Sequence, residues 1–228
     1  MFKDKKIIAY IPARAGSKGI VRKNMRLIKG KPLFMHSVDY AFESAYIDDV
    51  LVSSDDPETL NLAHKRGCVI NGLRPAELSG DRARIIDGVL YELSQLNQKY
   101  DAVVLLQPTF PIRPPAEVLD EMIEKYFETE TSLITVVKCA DRPEFFRKIG
   151  TDGFLYKIVG QTSDVRRQEA ETYYRIIGSV YINNVHTINA SVVLNENIVP
   201  FVLDRQYALD IDTEDDWKAL ENSAWNRE

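Results

Sequence analysis

The chain has 228 residues, 45% of them apolar and 28% charged, an ordinary globular composition that argues against a disordered chain. Lys and Arg number 29 against 34 Asp and Glu, and the formal charge of −5 disfavours nucleic-acid binding through bulk positive charge. A chain this long buries roughly 70–75% of its unfolded surface and needs no staple; Cys68 and Cys139 lie far apart without a CxxC partner, exclude a zinc ribbon and fit a reducing cytoplasm.

The charged opening Met1–Lys6 is followed by the apolar run Ile7–Ile11, too short for a signal-peptide core or a membrane span, and no longer run follows. Ile7–Ile11 reads as the first strand. Val50–Ser53, Cys68–Ile70, Ala102–Leu106, Leu133–Val137, Ser179–Ile182 and Leu209–Ile211 read as further strands, several continuously apolar and β-branched as in a parallel sheet covered on both faces. Between them, Pro57–Arg66 reads as a helix capped by Asp56. Asp81–Gln98 and Pro115–Phe127 carry apolar residues near helical spacing. Alternating strand and helix predicts a doubly wound, mostly parallel α/β sheet with its ligand at the strand carboxyl ends. Residues 138–177 break the rhythm with charge and aromatics, and read as an insertion that leaves the sheet to meet another subunit. The chain is otherwise expected to be one domain, 1–228.

Charge is unevenly placed. No acidic residue lies between Asp4 and Asp39, where Lys5, Lys6, Arg14, Lys18, Arg22, Lys23, Arg26, Lys29 and Lys31 occur, whereas Asp204, Asp210, Asp212, Glu214, Asp215 and Asp216 crowd the other end. Such a distribution fits a polyanionic ligand with a divalent cation, and equally fits two solvated surfaces. In the loop after the first strand, Gly16 and Gly19 let backbone amides turn toward one point, while Arg14, Lys18 and Lys23 add charge and Ser17 a hydroxyl. That set suits a triphosphate. The Walker A pattern GxxxxGK[ST] and the dinucleotide pattern GxGxxG are absent. Asp210 and Asp212, two apart on an extended strand end, would face one side, as a magnesium site with phosphate oxygens requires; a strand end followed by a capped helix is the alternative. The Gly-x-Ser-x-Gly elbow is missing, and His36, His64 and His186 have no metal-ligand spacing. Ser53-Ser54-Asp55-Asp56 is accounted for by helix capping.

The stretch IPARAGSKGIVRKN, Ile11 to Asn24, resembles the N-terminal signature of the acylneuraminate cytidylyltransferases, the CMP-sialic acid synthetases. Further matches follow in order: Leu73-Arg74-Pro75-Ala76-Glu77-Leu78, Leu106-Gln107-Pro108-Thr109 with Pro111 and Arg113, Arg166-Arg167-Gln168, Gly178 with Tyr181-Ile182, and Asp210-Ile211-Asp212-Thr213. They span almost the whole chain. The resemblance implies a nucleotide-diphospho-sugar transferase (Rossmann-like) fold and transfer of CMP from CTP to a nine-carbon 2-keto sugar acid, with pyrophosphate released. It implies that Arg14, Ser17, Lys18 and Lys23 hold the phosphates, with Asn24 near the nucleotide and Arg74 at the cytosine. Lys18, Arg14 and Asp212 are the candidate catalytic residues. Gln107 and Arg167 would hold the sugar, Arg167 from the insertion and for the partner's site in a homodimer. Asp210 and Asp212 would bind Mg2+, with Mn2+ as a substitute. A cytoplasmic enzyme that binds neither nucleic acid nor membrane is expected.

Two departures from the family pattern stand out. Asp81-Arg82-Ala83-Arg84-Ile85 lacks the two hydroxyl residues that usually follow Asp-x-Ala, which bears on base readout. Ile177 replaces the Asn that usually precedes Gly178, so either the sugar pocket lacks one polar group and an altered sugar such as legionaminic or pseudaminic acid is used, or the change is local. A 3-deoxy-manno-octulosonate cytidylyltransferase and a catalytically silent nucleotide-binding protein are the rival readings.

Overall fold

The computed structural model describes residues 2–158 and 171–227. In chain order the elements are β1 (Ile7–Pro12), the short strands β2 (Leu27–Ile28) and β3 (Lys31–Pro32), α1 (Leu33–Glu43), β4 (Asp49–Ser53), α2 (Pro57–Arg66), α3 (Ile85–Gln95) and β5 (Ala102–Leu106). Then come α4 (Ala116–Thr129), β6 (Leu133–Lys138), β7 (Arg147–Ile149), β8 (Leu155–Lys157), β9 (Tyr174–Asn184), β10 (Val199–Leu203), α5 (Glu214–Glu221) and α6 (Ala224–Arg227).

Six strands form the central sheet in the order β10-β6-β9-β5-β1-β4. β9 runs antiparallel to both β5 and β6, and the remaining pairs are parallel. Strand alternation divides each strand between two cores. Ile7, Ala9 and Ile11 join Phe34 and Val38 of α1 and Leu119, Met122 and Ile123 of α4 on one face. Ile8 and Tyr10 join Val89 of α3 on the other. Each fully buried aliphatic side chain of this kind contributes about 1.5–3 kcal/mol. A third cluster of Ile20, Ile28, Leu33, Ile211, Trp217 and Leu220 joins the basic N-terminal stretch to the C-terminal segment. Among the described residues no helix is long and apolar enough to cross a membrane.

α2 has the bounds its sequence predicts. The Asp56 side chain accepts from the Glu58 and Thr59 amides, and Gly67 closes the helix at φ 97°. Other elements differ from expectation. The run Cys68–Ile70 contributes one parallel bridge, Val69 to Leu51, rather than a strand. Leu209–Ile211 is not a strand: the Ile211 amide bonds the Thr109 carbonyl at 2.9 Å, outside any ladder. α3 starts at Ile85, not Asp81: Arg84 takes the N-cap position in extended conformation, and Asp81 lies outside the helix, paired with the N-terminal loop. α1 and β10 are additional elements that the sequence patterns above do not single out. Lys138 still belongs to β6, and the return to the sheet begins at Tyr174, with a register shift opposite Ile134 and Val136. Between them, β7 and β8 make a separate antiparallel hairpin.

Candidate active site

The loop that leaves β1 is held from behind by the end of β4. The Ala13 amide donates to the Ser53 carbonyl at 2.9 Å, the Ser54 hydroxyl donates to the Ala13 carbonyl at 2.6 Å, and the Ala15 amide donates to Asp55 at 2.7 Å. Asn24 closes it from the far side, its amide nitrogen donating to the Arg14 carbonyl at 2.9 Å. The Ser53–Asp56 segment therefore braces this loop as well as capping α2, a role that capping alone does not convey.

The C-terminal segment meets the same loop. Lys23, almost fully buried, donates from Nζ to the Ile211 carbonyl at 2.5 Å and to Asp212 Oδ1 at 2.9 Å. Gly19 lies directly against the Asp212 carbonyl, where any Cβ would collide. Arg26 grips Glu214 with two bonds of 2.8 and 2.6 Å and stacks over Trp217. Thr213 and Asp216 form a capping box that starts α5 immediately after Asp212. Asp210 is half-buried, and its Oδ1 is enclosed without a hydrogen-bond partner among the described residues. Burial pushes its carboxyl upward, the Thr109 hydroxyl opposes this, Asp212 adds to it and Lys23 opposes it.

A buried orphan carboxylate oxygen beside a second carboxylate is what a divalent cation would satisfy. Among the described residues no three His, Cys, Asp or Glu side chains converge as a cage. Magnesium, however, takes one or two carboxylates and completes its shell with phosphate and water, so this pair fits it.

These parts line a cleft of about 250 Å³ at the carboxyl ends of β1 and β5, walled by Pro12, Arg14, Gly16, Ser17, Lys23, Asn24, Arg74, Gln107, Thr109 and Asp212. Arg74 is buried, its amide bonded to the Ser54 carbonyl at 2.8 Å and its Nε to Ser79 at 3.2 Å. Gln107 follows β5, and Arg113 fixes its carbonyl at 2.8 Å while also donating to Ser37 and Ser179. Enclosure without a carboxylate partner lowers the Arg113 guanidinium to about 10. Gly178 leaves room for the Gln107 amide, since a Cβ there would lie 2.8 Å from Nε2. Next to the cleft and sharing Arg84, Ile85 and Gln107 with it is a second hollow of about 280 Å³, walled by Ile86, Tyr181, Val192, Val193, Leu194 and Asn195.

Of the residues expected from sequence, Arg14, Ser17, Lys23, Asn24, Arg74, Gln107 and Asp212 share the first cleft. Lys18 turns outward at its rim and pairs with Asp81 at 2.9 Å. Arg167 lies outside the described residues. Arg84, in place of a hydroxyl residue, is bound to Asp87 and the Ala190 carbonyl and forms the partition between the two hollows. Of the two readings of Ile177, the structure fits the local change: its side chain is buried in the core on the α1–α4 face and lines neither hollow. Sequence reasoning did not single out Asp81 as the partner of Arg14 and Lys18, although its place in the Asp-x-Ala motif marks it.

Mostly parallel sheet, basic strand-end loop and facing carboxylates define a nucleotidyltransferase. The chain belongs to the cytidylyltransferase family, whose model matches residues 8–216. It is 34% identical over 223 residues to the CMP-N,N'-diacetyllegionaminic acid synthase of Legionella pneumophila, covering 95% of each chain. It is 31% identical over 219 residues to the N-acylneuraminate cytidylyltransferase of Streptococcus agalactiae, covering 93% of this chain and 52% of that one, so it spans about half the length of that relative. In fold it is similar to CMP:2-keto-3-deoxy-manno-octonic acid synthetase complexed with CTP, with a TM-score of 0.69 at 17% identity over 94% of this chain and 96% of the other.

Proposed function

We propose that this enzyme transfers CMP from CTP to the anomeric hydroxyl of a nonulosonic acid, N-acetylneuraminate or a relative such as legionaminate or pseudaminate, with Mg2+ bound to Asp210 and Asp212. The supporting observation is that the loop of Arg14, Ser17 and Lys23 and the carboxylate of Asp212 meet across one cleft, with the enclosed Asp210 two residues before Asp212 and outside the cleft wall. The anomeric oxygen attacks the α-phosphorus. As that P–O bond forms, the bond to the bridging oxygen breaks, pyrophosphate leaves with the electron pair, and the hydroxyl proton passes to water. Catalysis of this kind rests on positioning and charge neutralisation. Arg14, Lys18 and Lys23 offset phosphate charge, Ser17 and the loop amides donate to phosphate oxygens, and the enclosed Arg74 reads the base. Asp210 and Asp212 would hold the magnesium, which would supply positive charge to offset that of the phosphates. Arg113 sets the backbone, and Gly178 the side chain, of Gln107 toward the sugar. The apolar wall of Ile86, Val192, Val193 and Leu194 beside Gln107 suits the acylamino substituents of such an acid.

A homodimer is part of this reading. Phe145, Phe146, Ile149, Phe154, Leu155 and Ile158, in and around the β7–β8 hairpin, are all exposed apolar side chains, and a partner subunit would cover them. Arg167 would then reach the partner's sugar. A cytoplasmic location follows from the substrates required.

Pyrophosphate release with CTP, Mg2+ and a panel of sugar acids tests the activity. Turnover is expected with an acylamino nonulosonic acid, and with 3-deoxy-manno-octulosonic acid far less. CTP binding without turnover on any acid of the panel would overturn the reading.

A further inference from the structure

Two of the cations assigned to the triphosphate are already bonded to an anion of the chain itself. Asp81 Oδ1 lies 3.3 Å from Arg14 Nη1 and Oδ2 lies 2.9 Å from Lys18 Nζ. One carboxylate thus bridges the two side chains with one oxygen apiece, as two oxygens of a single phosphoryl group would. Asp81 and Gly80 also form part of the wall of the nucleotide cleft, so the bridge stands in the path of the ligand rather than behind it.

The bridge is not what shapes the loop. Ser53, Ser54, Asp55 and Asn24 hold its backbone from β4 and from the far side, with bonds to Ala13, Arg14 and Ala15 that do not involve Asp81. Lys18 is largely exposed at 77%, and Arg14 and Asp81 are partly exposed at 38% and 49%, so the pairs add little to folding and are easily exchanged. The hydrogen bond from Lys18, with the Arg14 charge adding to it, holds the Asp81 carboxyl below the usual carboxylate range, so at neutral pH it is an anion.

We propose that Asp81 is a resident stand-in for a phosphoryl group, and that the triphosphate enters, and pyrophosphate leaves, by exchange with it at Arg14 and Lys18. The inference rests on the CTP site proposed above and adds a selectivity to it. A ligand must bring phosphoryl oxygens to both cations in order to displace the carboxylate. CTP and pyrophosphate do so, whereas cytidine does not reach them. Return of Asp81 after the chemical step competes with pyrophosphate for the same two cations and favours its release.

The test is direct binding to the wild type and to Asp81→Asn, which keeps the shape of the side chain and removes its charge. Calorimetry with CTP, pyrophosphate and cytidine, together with a turnover measurement, gives the readouts. Removal of one unit charge this close to the phosphates is expected to tighten CTP and pyrophosphate about five- to tenfold. Cytidine should change less than about twofold, and pyrophosphate should become a stronger product inhibitor. Unchanged or weaker binding of CTP and pyrophosphate by the variant would overturn the proposal, as would equal tightening of cytidine. Asp81→Ala gives a second readout and is expected to show the same selectivity. A wild-type protein that fails to bind CTP would instead overturn the underlying site assignment, an outcome distinct from a wild type that binds and a variant that shows no gain.

Discussion

Lys23 and Asp212, 189 positions apart in the chain, meet as an ion pair of 2.9 Å at the edge of the nucleotide cleft. The pair is off-balance: the Lys23 side chain is 9% exposed and that of Asp212 is 68% exposed. The lysine is therefore fixed by its surroundings, including its bond to the Ile211 carbonyl, while the carboxylate remains open to other cations.

From this asymmetry, Asp212→Asn should leave the fold intact and abolish most turnover. The expected loss is ~10²–10³-fold, the scale of one charge contact made in the transition state. Stability should fall by about 1 kcal/mol, because the buried Lys23 loses one charged partner but keeps its bond to the Ile211 carbonyl. Steady-state rates and urea unfolding measure the two effects, and near-normal turnover would remove Asp212 from the metal site.

Gly178→Ala tests the seating of Gln107. The added methyl would come within 2.8 Å of the Gln107 amide nitrogen and 3.2 Å of the Tyr181 hydroxyl, so the flexible amide must swing aside. Loss of one hydrogen bond to the sugar predicts a rise of about tenfold in KM for the sugar acid. KM for CTP should not move. A rise in both would place Gln107 elsewhere.

How much of this was legible in the sequence depends on whether the signal is local. α2 is readable to the residue because Asp56 and Gly67 mark its start and its stop at the ends of the segment itself. The order of motifs from Arg14 to Asp212 marks seven residues that share the cleft, whereas Lys18 and Asp210, marked in the same way, lie outside its wall. β10 was not readable: Pro200 sits inside it, and only Leu203 of its residues is fully buried, so the periodic signal of a core strand is missing. Leu209–Ile211 has the composition of a strand, but among the described residues no strand pairs with it. The two readings of Ile177 stay open at the level of sequence because which way a residue of β9 points depends on the register shift opposite Ile134 and Val136, which no local pattern shows. The bridge from Asp81 to Arg14 and Lys18 is likewise a tertiary fact.

Trp217 should act as the anchor of the aspartate segment. It is fully buried against Ile20, Ile28 and Ile211, beneath Arg26. Trp217→Ala should cost about 3–5 kcal/mol, the range for a large core truncation. Turnover of the fraction still folded should fall as well, because Ile211 lies between Asp210 and Asp212, the two carboxylates proposed to hold the metal. Urea unfolding, followed by activity well below the midpoint, separates the two.

His36 gives the pH dependence a sign. Burial lowers its pKa from 6.5, the Ile28 carbonyl opposes this and the Lys31 charge adds to it. The unfolded chain therefore takes up a proton near pH 6.5 that the native state refuses. Stability from this group is fully present above that pH and is lost as pH falls toward the lowered native value. Between pH 7.5 and 5.5 the wild type should lose more unfolding free energy than His36→Gln; equal losses would contradict the assignment.

The most direct measurement is a structure of the protein with CTP and Mn2+, in which the metal is located by its anomalous scattering. One metal peak is expected at the carboxylates of Asp210 and Asp212, with the triphosphate between that metal and Arg14, Ser17, Lys18 and Lys23. A triphosphate seated away from that loop, or a metal bound without either aspartate, would contradict this arrangement.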